Sequence, residues 1–229
     1  MGEGDTVTIQ DIRMELEANS GRNEGYYKKL IPSMKPALGV RVPDLRKLAK
    51  KIAKEDYEIF LAENPMDLFE WEMLQALVIG YAMDDIKVLL QHFREFVPCV
   101  HDWSVSDSLC QTFSIARKYP KETFAMLMEY IDSTQEYEIR VVAVTLMSHF
   151  LNDEYIDEVI KVLDRLKPGD YYAKMGIAWA VATVMAKYPE KCMEYLKHHS
   201  LDEWTYRKSI QKMKESYRVS DEIKKKLVL

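Results

Sequence analysis

ARKYPKETFAMLMEYI (Ala116–Ile131) and MAKYPEKCMEYL (Met185–Leu196) share a Lys-Tyr-Pro turn followed by an apolar stripe at helical spacing. In each, one helix ends at the Lys-Tyr and the next begins after the proline, whose missing N–H does no harm in a first turn. The two triplets lie 69 residues apart. The interval contains EYEIRVVAVTLMSHFLNDEYIDEVIKVLDRL (Glu136–Leu166), which reads as a further helix pair. A unit of roughly 32–36 residues is the period of a HEAT-like solenoid. Each pair leaves an apolar face that only its neighbours can cover, so the pairs stack. The expected fold is all-α: a right-handed solenoid of tandem antiparallel HEAT-like helix pairs, about 12–14 helices in all, with a concave face that suits a large ligand. One domain is expected over residues 1–229, with an N-terminal helix within 1–21.

Outward from the repeat, the same periodicity continues in both directions. In LRKLAKKIA (Leu45–Ala53) the apolar positions Leu45, Leu48, Ala49, Ile52 and Ala53 form one stripe, with Lys and Arg on the outer face. Pro43 and Asp44 stand at its start, where proline fits the first turn and aspartate complements the helix dipole. Further helical segments are expected at 8–18, 23–33, 55–63, 67–82, 85–97, 103–118, 121–132, 137–150, 154–166, 170–187, 190–197, 203–216 and 220–228. Pro65, Pro98, Pro120, Pro168 and Pro189 fall at boundaries. Runs of β-branched alternation bounded by hairpin turns are missing.

The 229 residues are 48% hydrophobic and 30% charged, ordinary for a folded domain with one core. The polar, acidic start MGEGDTVTIQ is not a signal or transit peptide, and the longest apolar run, near Leu74–Met83, is too short to span a bilayer. A cytoplasmic location is therefore expected. Cys99, Cys110 and Cys192 form no CxxC pair and are expected to be plain buried thiols. The net charge of −5 is unevenly distributed: −4 over residues 1–21, +8 over 22–54, −8 over 55–99, −7 over 100–160 and +6 over 161–229. Two basic zones thus flank an acidic middle. If the fold brings them onto one face, they form a surface for a phosphate backbone; otherwise they are solvated helix faces of opposite sign.

The chain has no P-loop, dinucleotide fingerprint, HExxH or GxSxG. Its five histidines lack metal-ligand spacing, and His198 and His199 read as surface or capping residues. One segment is unusual: VHDWSVSDSLCQTF (Val100–Phe113) puts Trp103 and Asp107 four residues apart, an aromatic plane and a carboxylate on one helix face. Arg140 opens an otherwise apolar helix. Trp179 lies in another very apolar helix, YYAKMGIAWAVATVMAKYP, together with Lys174. Taken singly, such a Trp is most often core, such an Asp a cap, and such an Arg a surface residue.

Taken in order, LGVRVPDLRKLAKKI (Leu38–Ile52), WSVSD (Trp103–Asp107), the helix led by Arg140 and the helix of Trp179 resemble successive landmarks of the AlkD-type DNA alkylation repair glycosylases. The resemblance extends over residues 22–217. It implies a DNA glycosylase that excises N3- and N7-alkylated purines from duplex DNA, without metal or organic cofactor, as a monomer. It also implies cleft residues Trp103, Asp107, Arg140 and Trp179. Such a base is cationic and already a good leaving group. A carboxylate at Asp107 would stabilise the oxocarbenium-like sugar. Trp faces at 103 and 179 would hold sugar and lesion, and Arg140 a neighbouring phosphate. DNA-backbone contacts would come from Arg41, Arg46, Lys47, Lys50 and Lys51 in the first basic zone. In the second they would come from Lys174, Arg207, Lys208 and Lys212. Tyr26 and Tyr27 stand where the family places aromatics beside DNA. Where the family carries an arginine three residues after the second Trp, this chain has Ala182. Two other readings are open: a catalytically silent DNA-binding paralogue for branched or damaged DNA, and a HEAT protein-interaction scaffold.

Overall fold

The computed structural model describes residues 7–21, 29, 35–55 and 57–227. Among them are 13 α-helices, two short 3-10 turns and no strand. The helices fall into two compact units, Met1–Ile115 and Ala116–Leu229.

The first unit contains α1 (Ile9–Ala18), α2 (Val42–Ile52), α3 (Tyr57–Glu63), α4 (Phe69–Tyr81), α5 (Ile86–Phe96) and α6 (Trp103–Thr112). Helix α4 packs on α2 and on α6 and is buried at every position except Gln75 and Tyr81. Its apolar residues therefore run all round it, whereas α2 buries only the stripe Leu45, Leu48, Ala49 and Ile52. Gly80 allows α4 and α6 to approach closely. A Cβ there would fall on the Thr112 hydroxyl and 2.8 Å from Thr112 Cβ. The chain entering α2 is fixed by a buried carboxylate on α4. Glu70 Oε2 accepts the Leu38 N–H at 3.0 Å, and Oε1 accepts those of Gly39 and Val40 at 2.8 and 3.2 Å. Gly39 has φ +81° there, a conformation that favours glycine.

The second unit contains α7 (Pro120–Met128), α8 (Glu136–His149), α9 (Ile156–Arg165), α10 (Tyr171–Lys187), α11 (Pro189–Tyr195), α12 (Glu203–Glu215) and α13 (Asp221–Lys226). Helix α10 packs on both α8 and α12. The Lys-Tyr-Pro repeat is conformational as well as sequential. Tyr119 and Tyr188 cap α7 and α11 with nearly the same backbone, φ −126°, ψ 63° and φ −131°, ψ 63°, and each is followed by proline in the first turn. In both units alternate helices stack directly on one another, the solenoid-like packing expected of tandem pairs.

Three expectations need adjustment. The helix expected over 103–118 stops at Thr112. Phe113 leaves the helical conformation (φ −69°, ψ 59°) to pack its ring 4.9 Å from that of Phe93, and Ser114–Arg117 form a 3-10 turn. Cys99 is exposed, because it ends the 3-10 turn Val97–Cys99 that follows α5; Cys110 and Cys192 are buried. Burial pushes the Cys192 thiol up to about 12, so it is inert at neutral pH. Of the helix expected at 23–33 only residue 29 is described, and it is helical; Tyr26 and Tyr27 lie outside the described residues. No helix among the described residues is long and apolar enough to cross a membrane.

Candidate functional site

In the first unit the site is built on the start of α6. Asp102 is its N-cap: the carboxylate accepts the N–H groups of Ser104 and Val105 and the Ser104 hydroxyl, all on Oδ1. This fixes the first turn, which presents Trp103, half-buried, and Asp107 one turn later, 7% exposed. Asp107 therefore sits where water is scarce and a charge acts strongly.

The surroundings of Asp107 hold more negative charge than the sequence suggested. Asp102 is fully buried, and its Oδ2 has no hydrogen-bond partner. Burial pushes its carboxyl above the ordinary range; the bonds from Ser104 and Val105 oppose this, and the Asp107 charge adds to it. Glu72 on α4 is also fully buried. Burial raises it too, opposed by Lys35 and His101 and reinforced by Asp102. Lys35 Nζ lies 3.4 Å from Glu72 Oε1, an ion pair without hydrogen-bond geometry, and donates to the Met66 carbonyl at 2.9 Å. Asp102, Glu72 and Glu70 were missed in the sequence. Asp102 carries an N-cap signal, immediately before the first helical residue. The other two show as glutamates in the otherwise apolar stretch FEWEMLQALVIGY.

The raised Asp102 gives a test by pH. A carboxyl whose folded pKa is raised adds stability in full below its unfolded pKa and loses it as pH rises through the folded value. Asp102→Asn keeps a cap acceptor and cannot ionise. Its melting temperature relative to wild type is expected to climb as pH rises above the ordinary carboxyl range and then to level off. Asp102→Ala, which loses the cap, is expected to fall below Asp102→Asn by about 1 kcal/mol, roughly 2–4 °C. A pH-independent difference in thermal melts would remove the ionisation cost from this account.

The basic residues of the first zone lie on and just before α2. Arg41 donates to Asp44 at 2.9 Å, and Lys47 lies 3.9 Å from the same carboxylate. Arg46 donates to the Tyr81 hydroxyl at 2.9 Å, and Lys50 Nζ stands 5.1 Å above the Tyr81 ring. Arg41, Lys47, Lys50 and Lys51 are exposed.

In the second unit, Arg140 is 5% exposed, and its Nη1 donates to the Tyr172 carbonyl at 2.7 Å. It passes over Gly176, where a Cβ would come within 3.1 Å of Arg140 Cγ. Arg140 thus belongs to the α8–α10 contact rather than to an exposed helix end. Trp179 is half-buried and lines a cavity of about 470 Å³ together with Ala182, Lys212, Tyr217 and Arg218. Lys212 on α12 and Arg218 in the loop after it bring two cations to this cavity, and Glu215 a carboxylate. Burial holds the Lys212 ammonium below the usual lysine range; Glu215 opposes this, and Lys208 and Arg140 add to it. Lys174 pairs with Asp202 at 3.5 Å, Arg207 pairs with Glu203, and Lys208 Nζ lies 5.6 Å from the Trp204 ring centroid.

Each unit thus brings part of the expected set together: Trp103 and Asp107 among buried carboxylates in the first, Arg140, Trp179 and Lys212 around α10 in the second. Among the described residues no group of three or more His, Cys, Asp or Glu could hold a metal ion. No curated protein matches the chain. The family model for the DNA alkylation repair enzyme matches residues 12–213, which takes in every helix described above except the first turn of α1, the last two residues of α12 and all of α13. The chain belongs to the DNA alkylation repair enzyme family.

Proposed function

We propose that this protein is a DNA glycosylase that removes N3- and N7-alkylated purines from duplex DNA. The observation that carries the reading is Asp107: a nearly buried carboxylate, one turn from Trp103, whose charge acts on the buried carboxyl of Asp102. An alkylated purine leaves as a neutral base, and the deoxyribose left behind gains positive charge. Fixed negative charge in a poorly hydrated setting favours that state over the ground state. Asp107 stabilises the developing cation and orients water toward the anomeric carbon. In the first unit Trp103 offers a ring face to a cationic base or to sugar C–H groups, and in the second unit Trp179 offers a face of the same kind. Arg140 contributes positive charge toward a phosphate, while the basic residues of α2 and α12 bind the backbone. No step in this scheme requires a metal or organic cofactor.

The test is release of free base from duplex DNA containing N7-methylguanine, resolved by chromatography. Release sensitive to Asp107 supports the reading. Salt-sensitive duplex binding without release would favour a silent DNA-binding protein, for which Ala182 beside Trp179 is the specific structural reason. No measurable affinity for DNA at low salt would leave a protein-interaction scaffold.

A further inference from the structure

Apart from the residues assigned above, the second unit carries a row of aromatic rings on the first turns of three successively stacked helices. Tyr137 is in the first turn of α8, Tyr171 and Tyr172 open α10, and Trp204 is in the first turn of α12. Tyr137 and Tyr172 are stacked, with centroids 6.2 Å apart and planes 20° apart. Tyr172 meets Tyr171 edge-on at 5.1 Å, and Tyr171 meets Trp204 at 5.6 Å and 65°. The outer two rings are open to solvent: Tyr171 is 55% exposed and Trp204 37%. Singly exposed rings need no explanation, but a contiguous row marks a binding surface.

The charges beside the row favour an anion. Trp204, Lys208 and Lys212 are spaced four and four along α12, one face of the helix. The carboxylates at this edge are engaged elsewhere. Glu136 accepts the Tyr172 N–H at 2.5 Å. Asp202 caps α12 through Trp204 and Thr205 and pairs with Lys174. Glu203 pairs with Arg207. Asp170, the N-cap of α10, is the acidic neighbour that a ligand must tolerate.

We infer that this edge is a stacking platform for unpaired DNA bases, with the strand's phosphates following Lys208 and Lys212. A duplex has its base faces already stacked and cannot use exposed rings. A single strand offers both bases for the rings and phosphates for the lysines, the combination used by single-strand binders. The three ring-to-ring steps place the ends of the row no more than about 17 Å apart, room for at most about five nucleotides at 3.4 Å each. The rings of the platform lie outside the excision scheme, whereas Lys208 and Lys212 serve phosphates in both, and the platform stands whether or not a base is released.

The experiment is fluorescence anisotropy of the full-length protein with a labelled oligothymidylate of about eight nucleotides at low salt. The wild type is expected to bind, more weakly as salt rises. The double variant Tyr171→Ala/Trp204→Ala is expected to lose at least about tenfold in affinity. Tyr171→Phe/Trp204→Phe, which keeps ring faces, is expected to stay within about threefold. Both should melt like the wild type, since the two side chains lie at the surface. Equal binding by the alanine variant, or no binding by the wild type, would overturn the platform; the latter would leave the row to a protein partner. Base release from methylated duplex is scored separately, so loss of that activity with oligothymidylate binding intact sinks only the glycosylase reading.

Discussion

Asp107→Asn is expected to slow release of N7-methylguanine by about 10²–10³-fold while duplex affinity changes by less than about threefold. The amide is nearly isosteric, and α6 is held by the Asp102 cap and by the close contact of Gly80 with Thr112, neither of which involves Asp107. The substitution therefore removes a charge and leaves the helix in place. Ground-state affinity comes mainly from phosphate contacts, which carry no information about the reacting sugar. The carboxylate acts on a cation that exists only as the glycosidic bond breaks, so its loss appears in the rate. Removing one preorganised electrostatic partner typically costs about 2.7–4 kcal/mol of barrier. Release at the wild-type rate would take the carboxylate role away from Asp107. Release by neither protein, with duplex binding retained, would take away the excision reading as a whole.

Glu70→Ala is expected to produce the largest loss of stability of any single change proposed for this chain, about 3–5 kcal/mol, seen as a melting temperature roughly 6–20 °C lower. Glu70 is fully buried and is the common acceptor for three consecutive backbone N–H groups, those of Leu38, Gly39 and Val40. Without it these donors lose their partner in a setting that water reaches poorly, at about 1–3 kcal/mol each where burial is complete. Glu70→Gln should fall between alanine and wild type: one oxygen still accepts, but the amide NH₂ faces donors. The variant also tests why LGVRVPDLRKLAKKI is a recognisable landmark. If Glu70→Ala also weakens duplex binding, the loop that enters α2 sets the position of Arg41, Arg46 and Lys47. An alanine variant as stable as wild type would show that Glu70 does not anchor this loop.

The helical order was readable because it rests on local chemistry: the apolar spacing in LRKLAKKIA and prolines at helix starts leave little choice. The buried stripe Leu45, Leu48, Ala49 and Ile52 matches the periodicity, and both Lys-Tyr-Pro turns adopt one backbone conformation. Phe113 was not readable. Nothing adjacent in sequence says that its ring will leave the helix to meet Phe93, twenty residues earlier. The family landmarks Trp103, Asp107, Arg140 and Trp179 were legible, but their supports were not. Glu70 and Glu72 occupy positions in an apolar helix where pattern alone gives charge no role, and their partners Leu38, Gly39, Val40 and Lys35 lie about thirty residues away. The sequence carries no sign of what holds Arg140. Its guanidinium is held by the Tyr172 carbonyl, a contact between helices 32 residues apart in the chain.

Helix α10 packs on α8 and on α12 and buries residues along its whole length. Its amides should be the last in the second unit to exchange with solvent, opening only when the unit as a whole does. Short α11 and α13, each with a single residue or none buried, open far more often. Trp179 therefore rides on the slowest part of its unit, whereas Tyr217 and Arg218, in the loop between α12 and α13, ride on a faster part. The cavity beside Trp179 is thus expected to have a fixed back wall and a breathing rim, so that a ligand meets a preset aromatic face and selects among arrangements of the charges around it.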